Sequence, residues 1–195
     1  MVNYHLIEVD AANRTIYLPK AGMSLDLGGI AKGYATDKAI EALKAQGVTS
    51  ALVNAGGDVR VIGNKSDGKP WRIGVQDPRQ TDGVSAKLAL TQWDTMETSG
   101  DYQRFIMKNG IRYSHLLNPR TGWQPREVAS VTIVNNSSTY GDILSKPIFV
   151  LGIEKGLELL KQFPGTEAVI VTTDGKVVVT PGLEGKIELS TEESQ

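Results

Sequence analysis

The chain reads as an α+β domain, a mainly antiparallel sheet carrying two principal helices. Three observations predict this. Asn109-Gly110 and Asp174-Gly175 each sit between apolar runs, and such dipeptides supply the positive φ that a tight turn between antiparallel strands requires. Two stretches, 31–47 and 140–163, carry helical spacing of apolar and small residues. The remaining runs are short, β-branched and closely spaced, which suits hairpins better than the long crossovers of a parallel sheet.

In chain order, residues 4–9 and 14–18 predict two strands around an Asp10-Ala11-Ala12-Asn13 turn. Met23, Leu25 and Leu27 form a strand-like entry into Gly28-Gly29. Ala31, Ala35, Ala39 and Leu43 then recur at i, i+4, with Tyr34 beside them and Gly47 placed to end the helix. Strands are expected at 50–54, 59–62, 71–75, 87–90 and 102–107, with a loop at 63–70. Residues 128–134 are a β-branched run. Ser137, Ser138 and Thr139 are placed to cap the second helix, in which Pro147 lacks an N–H for the Ile143 carbonyl and predicts a kink. Residues 168–172 and 176–179 close a final hairpin, and 191–195 reads as a disordered tail.

Composition narrows the function. A chain of 195 residues with 40% hydrophobic content can bury one core, so residues 1–190 are expected to form a single domain. A formal net charge of −1 gives no electrostatic reason to expect nucleic acid. The chain has no cysteine, which excludes disulfides, thiolate metal sites and cysteine nucleophiles. No stretch has the apolar length of a membrane span, and the first residues lack a signal-peptide layout.

Five clusters carry chemistry. Leu25-Asp26-Leu27-Gly28-Gly29-Ile30-Ala31-Lys32-Gly33-Tyr34 places glycines at the start of a helix, where backbone N–H groups face an anion. Asn54-Ala55-Gly56-Gly57-Asp58 reads as a tight turn or an anion-binding nest. Thr98-Ser99-Gly100-Asp101-Tyr102 offers two hydroxyls and a carboxylate before a strand, with a hydroxyl-supported turn as the plain reading. His115-Leu116-Leu117-Asn118-Pro119-Arg120-Thr121-Gly122 sets a histidine beside a rigid polar loop. A last group, Asp142, Ser145 and Lys146, shares one helical face. With a Gly-Gly carbonyl nearby it suits a hard cation such as Mg²⁺; the plain reading is an Asp142–Lys146 pair.

These motifs, in this order and together with Gly141-Asp142-Ile143-Leu144-Ser145, closely resemble the ApbE family of FAD:protein FMN transferases, from Met23 to Gly152. The resemblance implies an ApbE-like, T-fold-related architecture. It implies a Mg²⁺-dependent reaction that cleaves FAD at its pyrophosphate, attaches FMN to a Thr or Ser of a target flavoprotein, and releases AMP. Alternatives are an FAD pyrophosphatase giving FMN and AMP, or a non-catalytic FAD- or ADP-binding or assembly module. By the same resemblance the Gly29 carbonyl, Asp142 and Ser145 hold the metal. Asp26, Gly28, Gly29, Lys32, Gly56, Gly57, Thr98 and His115 fall on the FAD site. His115 is a general base for the incoming hydroxyl or a donor to a phosphate oxygen, and Asp142 joins it as catalytic.

Two departures modify that expectation. Lys146 and Pro147 stand where the family pattern continues with Thr, and a protonated ammonium neither ligates Mg²⁺ nor tolerates it nearby. Either Lys146 takes part of the cation's place against the pyrophosphate, or it turns outward and Ser145 serves. Family members also carry on the order of a hundred further residues before the Asp-Leu-Gly-Gly motif. A domain lacking that N-terminal segment is expected to leave a sheet edge bare, which predicts a homodimer or a partner chain. The family's usual setting is extracytoplasmic or periplasmic; without a leader in this sequence, a cytoplasmic setting stays open.

Overall fold

The structure is a computed structural model and describes residues 3–190. The 191–195 segment expected to be disordered lies outside the described residues. The first hairpin joins β1 (Glu8–Asp10) to β2 (Thr15–Tyr17), with Glu8 opposite Tyr17. Its predicted first strand is shorter than expected, because Asn3 accepts from the His5 N–H and winds Tyr4–Leu6 into a 3₁₀ turn. Met23–Leu27 is irregular rather than a strand: no neighbouring strand pairs with it, and Leu25 and Leu27 stay exposed.

A six-stranded antiparallel sheet organises the rest. Its strands are β3 (Ala51–Ala55), β4 (Asp58–Ile62), β7 (Thr95–Gly100), β10 (Val128–Asn135), β11 (Glu167–Thr172) and β12 (Val177–Val179), in the order β12-β11-β10-β7-β4-β3. A three-stranded sheet of β5 (Trp71–Gln76), β6 (Val84–Leu90) and β13 (Ile187–Leu189) is ordered β13-β6-β5. A last hairpin pairs β8 (Phe105–Lys108) with β9 (Ile111–Ser114). Its turn has φ +52° at Asn109 and +74° at Gly110, the doubly positive pair that the Asn-Gly signal predicts.

Alternation along the strands separates two cores. Val59, Val61, Met96, Val134 and Val169 face the smaller sheet and pack with Val75, Leu88, Leu90 and Trp93. Ile133, Ala168 and Ile170 face the other way, onto the helices α2 (Ser138–Leu151) and α3 (Ile153–Leu160), where Leu144, Ile148, Phe149 and Leu160 fill the layer. The single helical stretch expected at 140–163 is therefore two helices. The break falls at Gly152, φ +82°, and not at Pro147, around which α2 continues.

The helix α1 (Ala31–Ala45) ends as expected before Gly47, but the alanine stripe that signals it is not its buried face. Gly33, Thr36, Asp37 and Ile40 are buried, while Ala31 and Ala35 are exposed. The reason is what lies beneath: β4 and β7 present Asp58, Arg60, Glu97 and Ser99 toward the helices, so α1 docks largely through polar groups. The same alternation makes Thr98–Gly100 a strand end where the sequence suggests a hydroxyl-supported turn, since Thr-Met-Glu-Thr-Ser-Gly shows no apolar face on its helix side. Among the described residues, no helix is long and apolar enough to cross a membrane.

Candidate functional site

The N-terminus of α1 opens onto a cleft of about 860 Å³. The chain enters it through a tight turn: the Asp26 carboxylate accepts from the Gly28 N–H at 2.7 Å, and the Leu27 carbonyl accepts from Ile30 and Ala31. No side chain caps α1, so the positive end of its dipole faces the cleft through Gly29, Ala31 and Lys32.

The β3–β4 turn forms the next wall. Ala55 pairs with Asp58 across Gly56 (φ +62°) and Gly57 (φ +97°), a two-residue turn that side-chain-bearing residues rarely adopt. Asn54 fixes it by accepting from the Gly57 N–H at 2.9 Å. Lys32 reaches across from α1 and donates to Asp58 at 2.9 Å. Asp58 is almost wholly buried, and its second oxygen has no partner. Burial raises its pKa to about 6; Lys32 pulls it down, and the charge of Asp142 pushes it up.

Helix α2 is held against α1 by a carboxylate that belongs to its neighbour. Asp37 accepts from the backbone N–H groups of Ser138 and Thr139, both at 3.0 Å, and from the hydroxyls of Ser137 and Thr139. Arg60 of β4 pairs with the same carboxylate and donates to Asp94 at 3.2 Å. Burial raises the Asp37 pKa, but Thr139, Arg60 and Ser138 outweigh it and hold the group below the ordinary Asp value. Close approach of the helices depends on Gly33, where a Cβ would lie 2.2 Å from the Ser138 carbonyl oxygen. The Gly33 N–H then donates to Asp142 at 3.1 Å.

Asp142 is buried on α2, and its other carboxylate oxygen bonds the ammonium of Lys146 one turn on. Lys146 Nζ also donates to the Asp142 carbonyl at 2.9 Å. The lysine stem passes Gly29, whose would-be Cβ lies 3.6 Å from Lys146 Cδ. Beneath them, Ser145 and Ser99 hydroxyls bond at 2.8 Å, and Ser145 donates to the Asp142 carbonyl at 3.1 Å. Behind Ser99 on the same face of β7 lies Glu97, fully buried with neither oxygen partnered. Burial, reinforced by the negative charge of Asp58, pushes its pKa well above the usual range.

The far wall comes from the chain after β7. Thr98 bonds Thr132 at 2.8 Å, and Gln103 donates to the Thr98 carbonyl at 3.2 Å. The Arg104 carbonyl accepts from the His115 N–H at 3.1 Å and lies 3.2 Å from His115 Nδ1. A carbonyl only accepts, so this contact assigns the proton to Nδ1 and leaves Nε2 of the neutral ring as the basic nitrogen.

Of the residues singled out from sequence, Asp26, Gly28, Gly29, Lys32, Gly56, Gly57, Thr98 and His115 all line this one cleft. Asp142 and Ser145 do not reach its surface; Lys146 does. The Ser145 hydroxyl, expected among oxygen ligands, is already engaged by Ser99 and Asp142. Among the described residues, no three His, Cys, Asp or Glu side chains converge on a common point. Sequence reading gave Asp58 and Tyr102 no role of their own within their motifs, and did not single out Arg104 or Gln76. Asp58 closes the Asn-Ala-Gly-Gly-Asp motif and was legible there; Arg104 follows no local signal and reaches the cleft only because its carbonyl pairs with His115.

The comparisons with known proteins bear on the family of the chain as a whole. The sequence model of the ApbE family matches residues 1–170. The chain is 36% identical to a FAD:protein FMN transferase from Treponema pallidum, over 91% of this chain and 52% of that one. A second FAD:protein FMN transferase, from Rhodobacter capsulatus, is 33% identical over 94% of this chain and 35% of its own length. The crystal structure of the ApbE protein from Thermotoga maritima superposes with a TM-score of 0.84 at 37% identity, covering 94% of this chain and 60% of that chain. The flavinyl transferase ApbE of Pseudomonas stutzeri, solved in its apo form, gives 0.76 at 34% identity, over 93% and 56%. The chain thus spans about half the length of the curated relatives it matches. With its motifs gathered on one cleft and matches across most of its length, the chain belongs to the ApbE family.

Proposed function

We propose that this cleft binds FAD and transfers its FMN half to a hydroxyl of a target flavoprotein. The observation that carries the reading is convergence: five motifs far apart in sequence supply the walls of one cleft. In this reading the pyrophosphate lies against the N-terminus of α1, between Lys32 on one side and Arg104 on the other. Oriented backbone N–H groups, the Lys32 ammonium held by Asp58 and the nearby Arg104 suit an anionic diester whose charge grows at phosphorus during attack. A Thr or Ser hydroxyl of the acceptor attacks the phosphorus on the FMN side. His115 Nε2 takes the hydroxyl proton while Nδ1–H stays on the Arg104 carbonyl. The bond to the bridging oxygen breaks, and AMP departs with that oxygen.

The resemblance also brings an expectation of Mg²⁺, and the residues as arranged do not fit it. Asp142 has both oxygens in use, Ser145 is buried and engaged, and the Lys146 ammonium sits on Asp142 with its stem against Gly29. No step here runs through a metal.

The test is product analysis after incubation with FAD and an acceptor protein. Transfer gives FMN fluorescence on the denatured acceptor and an equal amount of AMP. Free FMN with AMP means hydrolysis, and intact FAD means a binding module. Either of the last two outcomes overturns the transferase reading.

A further inference from the structure

We propose that Lys146 is a resident replacement for the divalent cation, so that this cleft takes a nucleotide pyrophosphate without metal. The proposal rests on the FAD reading for its ligand but not for its cation. Its basis is where the ammonium sits. Lys146 Nζ bonds the Asp142 carboxylate and, at 2.9 Å, the Asp142 carbonyl. Its stem lies along Gly29, 3.6 Å from that residue's would-be Cβ. The Lys146 side chain thus lies between the Gly29 turn and the buried Asp142, its stem against Gly29 and its ammonium on the carboxylate that a metal would need.

The surroundings leave no room for both. The second Asp142 oxygen is committed to the Gly33 N–H at 3.1 Å, so the oxygen held by the ammonium is the one a metal would need, and losing the ammonium leaves a buried carboxylate without its cation. Around this point Asp58 and Asp142 are matched by Lys32 and Lys146, two charges against two. A dication entering beside an ammonium in a partly desolvated floor meets strong repulsion. An ammonium carries three donors; two are spent on Asp142, and Lys146 lines the cleft with 22% of its side chain exposed. The third N–H is therefore available to an anionic oxygen bound there.

The experiment separates cation from ligand. Mn²⁺ is titrated, without nucleotide, into the wild-type chain and into Lys146→Thr and Lys146→Met, with free Mn²⁺ followed by its magnetic resonance signal. Wild type is expected to show no saturable binding. The Thr variant is expected to bind, with affinity raised about tenfold or more, and the Met variant, which removes charge without adding a ligand, to bind more weakly than Thr. If the Thr variant does not fold, the Met variant carries the comparison. Wild type binding Mn²⁺ as tightly as either variant overturns the proposal; so does failure of both to bind, since Lys146 would then have replaced nothing. In parallel, FAD binding to wild type is expected to be unchanged by EDTA, while the Thr variant loses affinity in EDTA and regains it with Mg²⁺. A wild type that needs Mg²⁺ to bind FAD also overturns it. If no variant binds FAD while the Mn²⁺ pattern holds, the FAD reading falls and the cation replacement stands.

Discussion

Gly33→Ala adds one methyl at the point where α1 crosses α2. That methyl would fall 2.2 Å from the Ser138 carbonyl oxygen and 2.7 Å from Asp142 Cβ, distances that backbone and a buried Cβ cannot yield cheaply. Overpacking of this kind costs about 1–3 kcal/mol. If α1 moves away to relieve it, the Gly33 N–H leaves the Asp142 carboxylate, and a hydrogen bond to a charged group is lost at about 1.5–3 kcal/mol. Alanine returns about 1 kcal/mol of helix propensity. The expected net loss is about 2–4 kcal/mol, read as a lower urea midpoint with an unchanged slope. Ala35→Gly, on the exposed face of the same helix, is the control and is expected to cost only about 1 kcal/mol. A Gly33→Ala variant within about 0.5 kcal/mol of wild type would refute the reasoning, because propensity alone predicts stabilisation.

Three further outcomes are expected. Asp37→Ala removes the acceptor for the first turn of α2 and leaves Arg60 half-paired in a buried seam, a loss of about 3–5 kcal/mol by urea unfolding. Asp58, with its pKa raised to about 6, takes up a proton as pH falls through that value, releasing Lys32 to an anionic ligand. FAD affinity should therefore rise as pH falls through about 6, and Asp58→Asn should flatten that dependence. Glu97, raised well above its ordinary value by burial, contributes stability that is full below the unfolded Glu pKa and lost as pH rises through the folded one. Glu97→Gln should match wild type in acid and exceed it in alkaline solution, as thermal melts at both ends will show.

Much of the fold was legible because hairpins and apolar periodicity are local signals. Asn109-Gly110 fixed its turn, and the run before Asn135 fixed the central strand β10. What stayed hidden depended on partners. Glu97 and Ser99 look like turn residues until α2 is placed over them. The alanines of α1 announce a helix but not the face it buries, which is chosen by Asp58, Arg60 and the amides of Ser138 and Thr139. The site followed the same rule. Glycine-rich turns and His115 were visible from type and spacing, whereas Arg104 is brought in by a main-chain pairing no short motif encodes. Lys146 stood out at its position in the pattern, and the plain reading of an ion pair with Asp142 is what the helix forms.

Everything proposed for this cleft requires that it hold the pyrophosphate of a dinucleotide between the N-terminus of α1 and the Arg104–His115 wall. Titrating the chain into FAD while following flavin fluorescence, then competing with ADP or with riboflavin, tests this directly. The expected result is saturable binding that ADP displaces and riboflavin does not, with affinity lowered about tenfold or more in Lys32→Ala. Absence of saturable binding, or displacement by riboflavin but not by ADP, would contradict it.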